Sequence, residues 1–387
     1  MNDAQIEAAV KKFGTPLFMV DSHNVAAELD RMRSEFQKVY ERSKVAYSVK
    51  TNYLPLLIEQ AHQAGHMIEV VSRHEWEYVR RLGVADSNII FNGPVKFRDD
   101  LESALDAGVI LNVDSREELD TVDGIARTRQ EKVSVGVRIS PVLPNGRQSR
   151  FGIHPNEFIA WMEDVNRPEN LEIRGLHLHY SMDRAAPSYG ERVRFLSEIA
   201  HTARIRPEFI DIGGGQASAL PLSIREQLGY DVSTFVEYAE AAGQAMHGAW
   251  GSDGPWLIVE PGTATLSAGM IYACSVVSTR GGDLAVSDGT IFETNPLRSR
   301  IQPPMRVLGG NRPGRTTVYG ATCMEIDTFG DVDSAVEAGD VVLIENVGAY
   351  SVVLSPEFIV PRAGVIDAAS GEVVRPRQEV GSFGGIA

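Results

Sequence analysis

The sequence predicts an α/β fold: a (β/α)8 barrel of the TIM type followed by an all-β C-terminal domain. Three observations carry this. From residue 44 to about residue 260, short apolar segments rich in β-branched residues alternate with helix-like stretches, as parallel strands joined by crossover helices do. Eight such units fit a closed barrel, with a doubly wound open sheet as the alternative. Beyond Glu260 the alternation stops, and the remaining segments are β-branched and punctuated by Gly and Pro. The third observation is that nearly every apolar segment of the first part ends on a polar, charged or glycine residue. The expected domains are 24–262 for the barrel and 1–23 plus 263–387 for the β domain.

Taken in order, residues 1–14 read as a helix. Residues 15–21, TPLFMVD, read as a strand that precedes the barrel and is free to pair with the β domain. Ser22 or Asn24 caps a helix running to about Glu41. Barrel strands are expected at 45–49, 67–71, 88–91, 109–113, 133–139, 173–180, 209–212 and 256–259. Helices are expected at 54–64, 74–82, 97–107, 116–127, 156–165, 190–205 and 232–246, with Pro55 suited to a first turn. In the β domain, strands are expected at 270–278, 284–287, 316–319, 341–344 and 352–354.

Composition narrows the function class. The chain has 387 residues, 43% hydrophobic and 23% charged, enough for one large domain and a second one. Its 37 basic and 52 acidic residues give a formal charge of -15, which argues against a nucleic-acid or acidic-membrane binder. The N-terminal MNDAQIEAAVKKFG has no apolar signal core, and no apolar run is long enough to cross a bilayer. The two cysteines, Cys274 and Cys323, are far apart, which suits a reduced cytoplasmic protein rather than a disulfide scaffold. No metal site is expected, because Cys/His ligand spacing is lacking.

In a barrel, chemistry sits at the C-terminal ends of the strands. Read in order, those ends carry Lys50; Glu69 with Ser72; Asn92; Asp114 and Ser115; Arg138; His177 and His179; Gly213, Gly214 and Gly215; and Glu260. A lysine where a strand leaves the sheet, in KVAYSVKTNY, is ordinarily a snorkelling side chain. It becomes a Schiff-base candidate only if the rest of the rim builds a cofactor site. The glycines of FIDIGGG let backbone amides approach an anion, at the position where barrels commonly bind phosphate. A lysine and a phosphate cradle on one rim point to pyridoxal 5'-phosphate. Glu260, in VEPG, would then hold a proton on the pyridine nitrogen, and His179 would stack on the ring. In the β domain, a cysteine is ordinarily a small buried hydrophobe. Thr322, Glu325 and Asp327 instead make the surroundings of Cys323 polar, as a reactive thiol requires, and Tyr350 in GAYS could give its phenol to the phosphate.

These motifs together resemble the fold-type III pyridoxal-phosphate decarboxylases, the group of ornithine, diaminopimelate and carboxynorspermidine decarboxylases. The similarity runs from about Thr15 to about Ser351. YSVKTN resembles the cofactor-lysine motif, which makes Lys50 the Schiff-base residue. IEVVSRHE brings Glu69, Ser72 and Glu75 near the cofactor, and GLHLHYS makes His179 the ring-stacking histidine. IGGG and VEPG supply Gly213 to Gly215 and Glu260; GATCMEID places the catalytic cysteine at Cys323, and GAYS the phosphate tyrosine at Tyr350. Arg138 also falls in family order among the cofactor residues. The resemblance implies a homodimer in which Cys323 serves the partner subunit's site.

The chain also departs from the family. Tyr180, Ser181 and Met182 follow His179 where a Gly-Ser pair is usual, so the phosphate serine is shifted or lost, and Thr263 replaces the arginine of EPGR. Met324 follows Cys323, where amine decarboxylases carry an acid for the substrate's distal ammonium; a methionine cannot offset that cation. Arg298 and Arg300, in NPLRSR, fall near the specificity segment and suit a carboxylate. The substrate-side residues are thus Arg298, Arg300, Cys323, Met324 and Asp327. The expected substrate is a small amino acid with an acidic or bulky distal end, such as a diaminopimelate-like acid or a conjugated siderophore or antibiotic precursor. An amino-acid racemase of the same fold type, or a regulatory homologue without activity, are the alternatives.

Overall fold

The computed structural model describes residues 1–129, 131–218, 220–228, 232–297, 299–379 and 381; Arg298 lies outside the described residues. The strands, in chain order, begin with β1 (Leu17–Val20), which stands before the barrel. The barrel strands are β2 (Ser43–Ser48), β3 (Met67–Val70), β4 (Ile89–Phe91), β5 (Ile110–Val113), β6 (Val133–Arg138), β7 (Leu171–His177), β8 (Phe209–Asp211) and β9 (Trp256–Val259). They close in sequence order, β9 returning to β2, with every pairing parallel.

The period-2 alternation of each strand explains both layers of the wall. Outward positions such as Val45, Tyr47, Ile68, Val70, Phe91, Ile210 and Val259 join the large apolar core under the helices. Inward positions at the lower end, Ala46, Met67, Ile90, Phe209 and Ile258, form a separate apolar plug. Two residues further along the same strands, the inward positions become Ser48, Glu69, Asn92, Asp211 and Glu260, all buried. Gly175 on β7 is required by this plug, since a Cβ there would lie 2.2 Å from the Phe209 ring.

The second sheet is formed by β1 with β10 (Met270–Arg280), β11 (Leu284–Ser287), β12 (Met305–Val307), β13 (Thr316–Tyr319), β14 (Thr328–Val332), β15 (Val341–Glu345), β16 (Gly364–Asp367) and β17 (Val373–Arg375). β1 is an inner strand of that sheet, antiparallel to β10 and parallel to β16. The two parts meet beside the barrel mouth: Asn52 Nδ2 donates to the Gly348 carbonyl at 2.9 Å, and the Tyr350 amide donates to the Thr51 carbonyl at 2.9 Å.

Several elements differ from expectation. Residues 352–354 form a turn closed by amide bonds of Leu354 and Ser355 to the Ser351 carbonyl, not a strand. β7 begins at Leu171, paired with Val133, and ends at His177, so His179 lies past the strand. The helix Leu222–Leu228 was not foreseen, nor were β12, β14, β16 and β17, which are short or interrupted by Gly and Asp.

Candidate active site

The strand register sets the first half of the site. β2 ends at Ser48, and the 3-10 turn Val49–Thr51 carries Lys50 over the mouth. Ser48 is the register partner of Glu69 on β3. Consequently Lys50 Nζ lies 2.5 Å from Glu69 Oε2 and 2.9 Å from Ser48 Oγ, and Ser48 Oγ donates to the same carboxylate oxygen at 2.6 Å. Asn92 continues the line: its Nδ2 donates to Glu69 Oε1 at 3.2 Å and to Glu260 Oε1 at 2.6 Å, while its own carbonyl accepts from Asn112 at 2.8 Å. Lys50 and Glu260 are thus joined through two buried side chains. Burial alone would lower the Lys50 ammonium, but Glu69, then Glu260 and Tyr350, outweigh it and hold the group above its ordinary value.

Below Glu260 lie His177 and Asp211, the three buried groups offering ligand atoms within 4.8 Å of one another. His177 Nε2 is 3.8 Å from Glu260, and neither ring nitrogen has a hydrogen-bond partner among the described residues. Burial alone would raise the Glu260 carboxyl, but His177 beside it and the Lys50 ammonium outweigh burial and hold it below the usual carboxylate range. Asp211 is pushed the other way, its carboxyl raised by burial and by the Glu260 charge. His179 is held neutral by burial and by Lys50, and its Nδ1 accepts the Gly214 amide at 2.9 Å, which leaves the other nitrogen as the donor.

Other predicted residues fall into distinct places. Arg138 bonds Asp114 at 2.7 Å and the His179 carbonyl at 3.1 Å, fixing the segment past β7. Ser72 and Ser115 cap the helices that follow their strands, accepting the Glu75 and Glu118 amides. Tyr350 adopts φ +62, a left-handed conformation that a bulky residue rarely holds, directly above the Lys50 turn. Among the glycines, the Gly213 amide donates to Asp211 and that of Gly214 to His179, so Gly215 alone of the three has an amide without a partner among the described residues. Ser181 lines the mouth, and Thr263 opens the short helix Thr263–Leu266.

The cavity at the mouth measures about 580 Å³ and is lined by Lys50, Glu69, Asn92, Arg138, His177, His179, Ser181 and Glu260, with an outer wall that includes Leu143, Phe151 and Met182. Cys323, Met324, Asp327 and Arg300 do not line it. Cys323, Met324 and Arg300 are exposed on the β domain. Asp327 is a correction to the substrate-side set: it is 1% exposed, and its two oxygens accept from Thr290, the Ile291 amide and both donors of Thr322. It pins the Cys323 loop and has no free oxygen edge for a substrate. Besides Arg138, which is paired with Asp114, Arg150 reaches the mouth from the loop after β6; it is stacked 4.1 Å from Phe151 and has no carboxylate partner among the described residues. Sequence reasoning missed Arg150, Asn112 and Asp211; the i, i+2 alternation from Phe209 would have marked Asp211 as inward.

The donor set fits pyridoxal phosphate. A half-buried amine, an anion across the mouth from it, an imidazole with lowered basicity beside both, and a free amide in a glycine turn are what its aldehyde, ring nitrogen, ring face and phosphate require. The turn has room only for glycine, because a Cβ at Gly214 would stand 2.2 Å from the Glu260 carbonyl oxygen.

Comparison with known proteins agrees with this geometry. Residues 25–267 match the family described as pyridoxal-dependent decarboxylase, pyridoxal binding domain. The chain is 26% identical over 389 residues to the L-glutamyl-[BtrI acyl-carrier protein] decarboxylase of Niallia circulans, covering 92% of this chain and 89% of that protein. It is 27% identical over 399 residues to the diaminopimelate decarboxylase of Methanothermobacter thermautotrophicus, covering 95% and 90%. The fold is that of Helicobacter pylori diaminopimelate decarboxylase in complex with L-lysine, with a TM-score of 0.84, 20% identity and 98% of both chains covered. The mouth that strand register assembles and the match across most of the barrel lead to one conclusion: the chain belongs to the pyridoxal-dependent decarboxylases.

Proposed function

We propose that this chain uses pyridoxal 5'-phosphate, bound at Lys50, to decarboxylate an amino acid whose distal end is acidic or bulky. The observation that carries it is the buried line Lys50–Glu69–Asn92–Glu260 along one cavity. The chemistry the cofactor supplies when bound is an electron sink for the pair that carbon dioxide leaves on Cα. Lys50 is the amine for its aldehyde, and Glu69 is placed to take the proton that the amine must lose. Glu260, kept ionised, holds the ring nitrogen protonated; Asn92 orients that carboxylate, and the apolar plug below excludes water from it. His179 supports the ring face as a neutral imidazole.

Protonation of Cα falls to Cys323. The resemblance to the fold-type III decarboxylases implies a homodimer in which it serves the mouth of a second copy, and its exposure outside its own chain's cavity supports that reading. Substrate choice follows from the same cavity. Its two acids, Glu69 and Glu260, are both engaged, and the free charged group at its rim is Arg150. A distal carboxylate, with or without an amine beside it, or a bulky acyl conjugate suits that rim; a distal ammonium alone does not.

The test is carbon dioxide release by the holoenzyme from diaminopimelate, from a glutamyl conjugate and from ornithine. Release from the acidic or conjugated substrates is expected, with Arg150→Ala raising KM about tenfold through loss of a charge-assisted contact. Fast turnover of ornithine with none of the others would sink the substrate assignment, and inversion at Cα without carbon dioxide would make the enzyme a racemase.

A further inference from the structure

The glycine turn after β8 rests on a buried arginine. Arg192, on the helix Ala186–Thr202, is 1% exposed. Its Nη1 donates to the carbonyls of Ile212 at 3.1 Å and Gly214 at 2.8 Å, and its Nη2 to the Tyr180 carbonyl at 2.9 Å. Its guanidinium lies 4.2 Å from the Tyr180 ring and 4.0 Å from the Tyr189 ring. The Tyr189 hydroxyl donates to the same Gly214 carbonyl at 3.1 Å. Among the described residues no carboxylate pairs with Arg192, so its charge is met only by backbone dipoles and aromatic faces.

This arrangement has a stereochemical result. In a trans peptide the carbonyl of one residue and the amide of the next point to opposite sides. Two donors that hold the Gly214 carbonyl down therefore turn the Gly215 amide up, away from Arg192. Gly215 holds φ +98, which only glycine adopts freely, and its amide is the unpartnered one of the turn. A buried cation behind a fixed, outward amide is an anion site read from below: the amide makes the contact and the guanidinium supplies the field.

Resting on the reading of the site given above, we infer that Arg192 is the positioning residue for the cofactor's phosphate. It orients the Gly215 amide and biases the turn toward a dianion without touching it. The role suits a chain in which Tyr180 occupies the position after His179 and Thr263 opens the helix after Gly262. Tyr180 packs on Arg192 and gives it a carbonyl, so the residue that departs from the family pattern is part of the device.

The experiment compares the affinity of full-length protein, freed of cofactor, for pyridoxal 5'-phosphate and for pyridoxal, which lacks the phosphate, by absorbance titration. Wild type is expected to prefer the phosphorylated form. Arg192→Met should weaken that form about tenfold or more and leave pyridoxal unchanged, and Arg192→Lys should fall between. Equal weakening of both ligands, or an unchanged ratio, overturns the inference. If the Arg192 variants do not fold, Tyr189→Phe carries the test, with the ratio expected to fall about threefold through loss of one neutral hydrogen bond; an unchanged ratio again overturns it. Wild type that binds neither ligand brings down the pyridoxal-phosphate reading itself, a result distinct from altered ratios among variants.

Discussion

At the barrel mouth, Lys50, Glu69, Asn92 and Glu260 are bonded in one line inside the wall, whereas Cys323 stands exposed on the β domain with only its loop fixed from beneath. The first group is preorganised by parallel register: once Ser48 pairs with Glu69 and Asn92 follows β4, each side chain has its partner. The second is preorganised by one aspartate, Asp327, and otherwise faces outward. A barrel can complete a cofactor site within one chain. The Cys323 loop leaves its thiol at the surface, which is where the proposed sharing of sites between two copies can be tested.

That contrast can be broken first by complementation. Lys50→Ala should be inactive, and Cys323→Ala should retain cofactor while kcat falls on the order of 10²–10⁴, the usual worth of a positioned acid. Mixing the two inactive parents under conditions of subunit exchange should restore about a quarter of wild-type activity, because half of the random dimers carry one intact shared site. No recovery on exchange would show that the sites are not shared between subunits, and an unchanged kcat in Cys323→Ala would place the thiol outside the catalytic step. A smaller effect is expected from Asp327→Asn. The amide cannot accept from Thr322, so stability should drop by about 1–3 kcal/mol, and native thiol labelling of Cys323 should accelerate; an unchanged melting curve would remove Asp327 from its pinning role. The two thiols sharpen the same point. Burial pushes Cys274 up to about 12, so a native protein should show one fast-reacting thiol, Cys323, and one silent until unfolding.

The smallest effect concerns Glu75, behind Lys50. Burial raises its carboxyl to about 7 from 4.5, despite the Val71 amide that donates to it at 2.7 Å. An acid raised in the folded state favours folding when protonated, so stability present below about pH 4.5 is lost as pH rises through about 7. Glu75→Gln should raise Tm at pH 8.5 and leave it unchanged at pH 4. Equal shifts at both pH values would show that packing, not ionisation, sets its effect.

Much of the barrel was legible because its strands are short apolar runs that end in polar residues, and period-2 geometry makes that ending a rim. Lys50, Glu69, His179 and Glu260 could be found that way, and they do meet. Asp211 was hidden because it precedes the conspicuous glycines and looks like a strand residue. Arg150 and Arg192 were hidden for different reasons: one rides on an irregular loop, the other on a helix whose inner face nothing in the sequence distinguishes. Asp327 was misread because acidity beside a cysteine suggests substrate contact, while only coordinates reveal four local donors around it. In the β domain, strands broken by glycine and aspartate carry little periodic signal, and 352–354 was apolar without being extended.

The position of β1 has a consequence for synthesis. Leu17 pairs with Ala273 on one side and with Gly364 on the other, so β1, which leaves the ribosome before the barrel, waits through translation of the whole barrel for both neighbours. The barrel is free to fold while that strand is still unmatched, and the second sheet closes only when β16 and β17 have emerged. A nascent chain stalled before β16 would present an apolar ribbon with one open edge, the natural target of a holding chaperone.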